Sequence, residues 1–322
     1  MVAWASRPSR CHAFVPSRGQ AVSDTLEQAA DCLRRGELAV IPTETVYGLA
    51  ANALNAQAVS KIFEVKGRPA DHPLIVHVRP DADLSQFAAQ VPESANRLRK
   101  AFWPGPLTMV LRKSPGVPAI TTGRRDTVAL RAPNHPIALA LLEMLDFPLA
   151  APSANRFMSV SPTTVEDLDG AIRSKACGVV DGGPCQVGIE STVVDLTGEQ
   201  PAILRPGMIS RAQIEAVLGV KVGEPEDLAR SPGTHPRHYA PRTKLILKPN
   251  VTPEEPGLVF GKPRNLHQLE MQRNPEAYAK RLYSALIELD KMDLPLAFVE
   301  LPPDGVEWEA IHDRLRRAAQ SE

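Results

Sequence analysis

The chain predicts an α/β protein: a mixed sheet with helices, joined by a proline-rich linker to a second, smaller α/β domain. Three observations carry that expectation. Short apolar runs alternate with stretches of helical period over residues 23–219. The period then fails through 222–230 and gives way to Ser231-Pro232-Gly233-Thr234-His235-Pro236-Arg237-His238-Tyr239-Ala240-Pro241. Beyond that segment the alternation of strand and helix patterns resumes.

Taken in order, Ser23 is placed to cap a helix with Leu26, Ala29, Ala30 and Leu33 on one face, and Gly36 is placed to end it. A strand at 37–41 runs into the turn Pro42-Thr43-Glu44-Thr45, then a helix at 56–66 stops at Gly67, and a strand follows at 74–78. Further strands are expected at 107–111, 127–131, 148–151, 178–180, 192–196 and 202–204, with helices at 92–102, 136–145 and 210–218. Residues 220–242 read as linker. The domain at 243–322 holds strands at 245–247, 258–260 and 296–300, a helix at 275–291 and a last helix from Trp308. Residues 1–22 carry Arg7, Arg10 and Arg18 and no acid. Pro8, Pro16 and the lack of an amphipathic period favour a disordered extension over a transit peptide.

At 322 residues the chain is long enough for two cores. Its 37 Lys and Arg balance 37 Asp and Glu, which argues against coating duplex nucleic acid but permits a local basic cleft. No apolar run approaches the roughly 20 residues of a membrane span. Cys11, Cys32, Cys177 and Cys185 lack C-x-x-C spacing, so they are expected as reduced thiols of a cytoplasmic protein; a Cys177–Cys185 redox pair is the sharper alternative. The 31 prolines are spread as punctuation.

Polar clusters follow the apolar strands, where open α/β sheets bind ligands. Lys66-Gly67-Arg68-Pro69 sets two cations at a helix end, with His72 and His77 after it; dipole complementation explains them as well as an anion does. Arg131 and Arg205 each terminate an apolar run, a costly place for a charge unless an anionic ligand or an acid such as Asp181, Glu190 or Asp195 meets it. Ser153 and Asn155 close another strand on a tight turn, Ser161 and Thr163 suit either a helix cap or a phosphate, and Ser191 and Thr192 stand at a strand entrance. The P-loop, dinucleotide-binding, nucleophile-elbow and zincin patterns are absent, and the eight histidines show no metal-ligand spacing.

In their order, these clusters resemble the threonylcarbamoyl-AMP synthase (YrdC-like) family in its longer form, over about residues 24–322. The series also includes Pro73-Leu74-Ile75-Val76-His77-Val78, Trp103-Pro104-Gly105-Pro106-Leu107-Thr108 and His238-Tyr239-Ala240-Pro241. The resemblance implies a YrdC-like twisted sheet with a concave basic face. It also implies a nucleotidyltransferase that condenses L-threonine, bicarbonate and ATP into threonylcarbamoyl-AMP and pyrophosphate for tRNA modification. Magnesium would accompany ATP, and the protein itself would hold no metal. It further implies hand-over to a tRNA threonylcarbamoyl transferase complex, and at most weak tRNA binding. On matching positions, Thr45, His77, Arg131, Ala151 and Ser191 would hold threonine. Arg68, His72, Thr127, Ser153, Asn155, Ser161, Arg205 and Tyr239 would hold ATP, with Lys66 beside the triphosphate and Lys66 and Arg68 catalytic. His238 and Tyr239 would form a lid. His72 stands where relatives often have Asn, Met158 where Gly is frequent, and Pro236 where some have Tyr. Against this stand an RNA-binding module without catalysis, a synthase of another carbamoyl-adenylate, and a paralogue lacking the activity.

Overall fold

The computed structural model describes residues 19–224 and 238–320. In the first part, α1 (Gly19–Arg34), β1 (Ala39–Ile41), β2 (Gly48–Asn52), α2 (Ala56–Lys66), β3 (Ile75–His77), α3 (Glu93–Phe102), β4 (Leu107–Arg112) and β5 (Thr127–Arg131) come first. They are followed by α4 (Pro136–Met144), β6 (Leu149–Ala150), α5 (Gly170–Lys175), β7 (Gly178–Val179), β8 (Thr192–Asp195), β9 (Ala202–Arg205) and α6 (Arg211–Leu218). The second part holds β10 (Lys244–Lys248), β11 (Gly257–Phe260), β12 (Gln268–Met271), α7 (Pro275–Lys291), β13 (Leu296–Glu300) and α8 (Glu309–Ala319). The first part builds a mixed nine-stranded sheet in the order β7-β1-β2-β6-β3-β5-β4-β8-β9, and the second a four-stranded sheet in the order β10-β13-β11-β12.

Local chemistry fixes the helix ends. The Asn55 side chain accepts from the Gln57 and Ala58 N–H groups at the start of α2, and Gly67 closes it in the left-handed region at φ 62°. Asn274 caps α7 ahead of Pro275, where a missing N–H costs nothing. Ser210 and Gln213 form a reciprocal capping box on α6.

Parallel pairing of β3 with β5 sets His77 directly opposite Arg131, and β6 pairs antiparallel with β3 so that His77 faces Leu149. Three loops are laced by backbone bonds at this end of the sheet: Tyr47 N donates to Pro162 O, Leu49 N to Pro152 O, and Ala154 N to Tyr47 O. Sheet register thus sets the His77–Arg131 pair, and these loops set what surrounds it.

The second sheet's core extends onto the first part of the chain. Tyr278, Leu282, Tyr283, Leu286, Ile311 and Leu315 bury together with Val46, Val160 and Ile189 of the first part, and with Tyr239. At about 25 cal/mol per Å² of apolar surface removed from water, such a shared core favours docking of the two sheets.

Several expectations are corrected. α1 begins at Gly19, so residues 19–22 are helical and Ser23 lies inside the helix instead of capping it. Residues 1–18, with Cys11, lie outside the described residues, as do 225–237 of the linker, with His235 and Pro236. Cys32 and Cys177 are joined by a disulfide, against the expectation of reduced thiols, while Cys185 is free and buried. Packing of α1 on β7 brings together two cysteines 145 residues apart, a proximity that spacing does not reveal. Ser161 caps no helix: a short turn at Val165–Asp167 is capped instead by Thr164.

Candidate active site

A cleft opens between the β1–β2 turn, the ends of β3, β5 and β6, and the segments at 190, 205 and 238–239; Ser191, beside Glu190, is not among its lining residues. Thr45, Arg68, His77, Arg131, Ala151, Ser153, Arg205, His238 and Tyr239 of the expected residues line it. So does Glu190, weighed from sequence only as a salt-bridge partner.

Its first half is organised by Arg131. Arg131 Nη2 lies 2.8 Å from Glu44 Oε1 and donates to Thr45 Oγ1 at 3.0 Å. Glu44, absent from the three acids considered above, is thus the counter-ion. Thr43 Oγ1 donates to Val46 O at 2.7 Å and lies 2.9 Å from Thr45 Oγ1. Thr43 Oγ1 also accepts from the Thr45 and Val46 N–H groups at 3.2 Å, and Thr45 Oγ1, with one lone pair on Arg131, keeps the other for a donor on a ligand. Arg131 Nε and His77 Nδ1 are buried without a hydrogen-bond partner, and neither Glu44 carboxylate oxygen makes a well-aligned bond. Burial, reinforced by Arg131, lowers the His77 imidazole to about 3, so it is neutral at physiological pH. Ala151 N already donates to Ile75 O at 3.1 Å.

The second half is more cationic. Arg68 Nη2 donates to Pro73 O at 3.1 Å, and its Nε has no hydrogen-bond partner. Burial draws the guanidinium down to about 10, so it remains charged. Arg205 donates from Nε to Ser191 O at 3.1 Å and from Nη2 to Ser191 Oγ at 3.2 Å. Ser191 Oγ also lies 2.8 Å from Thr108 Oγ1. Tyr239, at φ 59°, has a buried hydroxyl without a partner, and so has His238 Nδ1. The His238 ring is also held neutral, at about 3, by burial first and by Arg68, Lys66 and Arg205, against the pull of Glu190.

Other expected residues sit behind the walls. Lys66 Nζ donates to Ser153 O at 2.5 Å, to Asn155 Oδ1 at 3.2 Å and to Asn155 O. Burial and Arg68 hold it well below the usual lysine range. Through these bonds Lys66 Nζ clamps the 153–155 loop. Asn155 Nδ2 donates to Ser159 O at 2.6 Å. Ser161 Oγ donates to Glu190 Oε1 at 2.7 Å, which leaves the hydroxyl only acceptor capacity toward a ligand. Thr127 is buried at the start of β5, about 13 Å along the strand from Arg131 at ~3.3 Å per residue, and is not among the lining residues. His72 packs edge-on against Phe157 at 5.2 Å, and Phe157 also meets Arg68 at 5.8 Å and His238 at 6.3 Å. Phe157 gave no signal in the sequence beyond its place beside Asn155. Met158 sits at φ 71°, where Gly is unstrained, and its carbonyl accepts from Ala240 N at 2.9 Å, which ties that loop to the 238–240 segment.

The geometry is matched by kinship. Residues 31–207 match the Sua5/YciO/YrdC family model, described as telomere recombination, and residues 209–320 match the C-terminal domain of threonylcarbamoyl-AMP synthase. The chain belongs to the threonylcarbamoyl-AMP synthase family. It is 40% identical to the Bacillus subtilis threonylcarbamoyl-AMP synthase over 91% of this chain and 92% of that one. It is 48% identical to the Pyrococcus abyssi enzyme of the same name over 68% of this chain, an alignment spanning 66% of that relative. The crystal structure of Pyrococcus abyssi Sua5 complexed with L-threonine superposes with a TM-score of 0.84 at 38% identity, covering 92% of this chain and 94% of the other. The α/β architecture in two sheets is thus that of the family. Among the described residues, no helix is long and apolar enough to cross a membrane.

Proposed function

We propose that the chain is an L-threonylcarbamoyladenylate synthase: a cytoplasmic nucleotidyltransferase that joins L-threonine, bicarbonate and ATP into threonylcarbamoyl-AMP and releases pyrophosphate. One observation carries the reading. The cleft gathers three buried arginines, Arg68, Arg131 and Arg205, with polar atoms that folding leaves open at His77, His238 and Tyr239. Such an arrangement suits a ligand with several anionic groups and neutral donors, and the reaction needs no covalent nucleophile.

In this reading the amino acid lies on the Arg131 side. Arg131 Nε receives its carboxylate, and the remaining Thr45 lone pair accepts from its ammonium or hydroxyl. The threonine ammonium gives up a proton to solvent, and the neutral nitrogen then attacks the bicarbonate carbon, forming the N–C bond of a carbamate as water leaves. The resulting carbamate oxygen attacks the α-phosphorus of ATP, and the bond to the β-phosphate bridging oxygen breaks to expel pyrophosphate. Arg68 and Arg205 offset the charge gathered there, and in-line placement supplies most of the acceleration. Magnesium enters with ATP as part of that substrate. Among the described residues no group of three or more His, Cys, Asp and Glu side chains is placed to hold a metal. Tyr239 and His238 cover the nucleotide side and exclude water. The adenylate passes to a transferase complex that modifies tRNA, with only weak tRNA contact by this chain, as its zero net charge suggests.

The test is pyrophosphate release from ATP and bicarbonate, with and without L-threonine, for the wild type and Arg68→Ala. Release that needs both co-substrates and collapses in the variant is expected. Release indifferent to threonine would move the reading to another carbamoyl-adenylate, and no release beside tight tRNA binding would move it to an RNA-binding module.

A further inference from the structure

The cleft wall at 190–191 is held from outside its own sheet. Glu190 is almost wholly buried, and each of its carboxylate oxygens has a partner: Oε1 accepts from Ser161 Oγ at 2.7 Å, and Oε2 from the Tyr283 hydroxyl at 2.7 Å and Arg314 Nε at 3.0 Å. Tyr283 lies on α7 and Arg314 on α8, both in the second part of the chain.

Arg314 does more than neutralise Glu190. It is fully buried, with Nη2 donating to Glu190 O at 3.3 Å and Nη1 donating to Pro206 O at 3.0 Å and to Asp313 Oδ2 at 2.7 Å. Its guanidinium carbon sits 5.1 Å from the centre of the Tyr239 ring, which stacks at 5.5 Å on Tyr283. Asp313 is fixed in turn by Arg317 Nε at 2.9 Å. One side chain therefore contacts Glu190, the residue after Arg205, and Tyr239. Glu190, Arg205 and Tyr239 all line the cleft, and they belong to segments distant in sequence. A planar fork with five donors can reach three targets at fixed angles, which a lysine ammonium cannot reproduce.

We propose that Arg314 is a positioning residue for the nucleotide half of the cleft, holding Glu190, the Arg205 turn and Tyr239 in one arrangement. The second domain thereby completes the site that the first domain begins. The claim rests on reading that half of the cleft as the ATP site. Arg314 touches none of Thr45, His77 and Arg131; of the residues expected at threonine only Ser191, bonded to Arg205, adjoins what it holds, so its loss falls on ATP more than on L-threonine.

The experiment compares wild type, Arg314→Lys, Arg314→Met and the double variant Glu190→Gln/Arg314→Met. The readouts are thermal melting, calorimetric titration of ATP and of L-threonine, and pyrophosphate release kinetics. Arg314→Lys should raise the ATP Kd and KM by about tenfold to a hundredfold, the range expected when a group outside the chemistry shifts the reacting geometry. L-threonine affinity should move far less. Arg314→Met strands a buried carboxylate and should melt early. The double variant removes both charges and should recover most of the melting temperature without recovering ATP affinity. A folded Arg314→Lys or double variant with wild-type ATP affinity overturns the proposal. If the wild type releases threonine-dependent pyrophosphate and Arg314→Lys is kinetically silent, the inference fails and the synthase reading stands. If the wild type releases none, the synthase reading fails, and the ATP titrations alone decide the role of Arg314.

Discussion

Two buried ionic clusters stand at the two sides of one cleft, and they are finished differently. Around Arg131 and Glu44 the protein leaves polar atoms open: Arg131 Nε, His77 Nδ1 and both Glu44 oxygens lack well-aligned hydrogen bonds. Around Arg314 and Glu190 every carboxylate oxygen and both terminal guanidinium nitrogens have partners within 3.3 Å. A buried polar atom without a partner costs about 1–3 kcal/mol, so a cluster that keeps several is destabilised until a ligand arrives. A completed cluster fixes geometry instead. Incomplete bonding marks where a substrate is expected, and complete bonding marks the joint that holds the wall.

The largest break in that contrast is expected from Arg131→Met. It strands Glu44 in the interior at a cost of about 3–5 kcal/mol, and L-threonine binding should disappear. Adding Glu44→Gln should restore much of the stability in denaturant titrations and none of the binding.

Acid should separate the clusters next. His77 and His238 have folded values of about 3, below the ordinary 6.5. The unfolded chain therefore binds more protons below pH 6.5, and stability present above that pH is lost as pH falls toward 3. At pH 5 each histidine withdraws about 2 kcal/mol. Glu190 has a folded value of about 2 against the ordinary 4.5: burial raises it, and Arg314, Arg205, Ser161 and Tyr283 more than reverse that. Its contribution is intact above pH 4.5 and is lost only as pH falls toward 2. Denaturant titrations from pH 8 to 4 should thus show a decline that begins near 6.5 and is halved by His238→Gln. A flat profile between pH 7 and 5 would contradict the neutral, buried histidines.

Lys66→Met should cost about 1–3 kcal/mol by releasing the carbonyls of the 153–155 loop, with faster hydrogen exchange confined to that loop. The smallest effect is the control: Gly219→Ala, at φ 69° beyond α6 and away from the cleft, should cost about 1 kcal/mol and leave pyrophosphate release unchanged.

Much of this was legible in the sequence where local chemistry decides. The helix at Ala56–Lys66 lies between Asn55 and Gly67, and the helix at Pro275–Lys291 follows Asn274, so caps and prolines mark their ends. β2 escaped notice because Gly48-Leu49-Ala50-Ala51-Asn52 has no β-branched residue and becomes a strand only through pairing with β1 and β6. β12 is a polar strand at a sheet edge, and its partner β11 lies a loop away. The register of β3 with β5 brings His77 to Arg131, and the loops beyond the strand ends bring the other expected cleft residues to them, which ordered motifs anticipate without explaining. The supporting partners were less visible. Glu44 sits inside a motif read for its hydroxyls, and Glu190 adjoins Ser191, so both carried a weak signal. Arg314 carried none, being one of three arginines in a charged terminal helix.

The most direct test of the contrast is calorimetric titration of L-threonine into wild type, Arg131→Lys and Tyr283→Phe. Binding to the wild type, loss with Arg131→Lys and retention with Tyr283→Phe is the predicted result, because only the incomplete cluster receives the amino acid. Binding that survives Arg131→Lys, or that vanishes equally with Tyr283→Phe, would contradict the account.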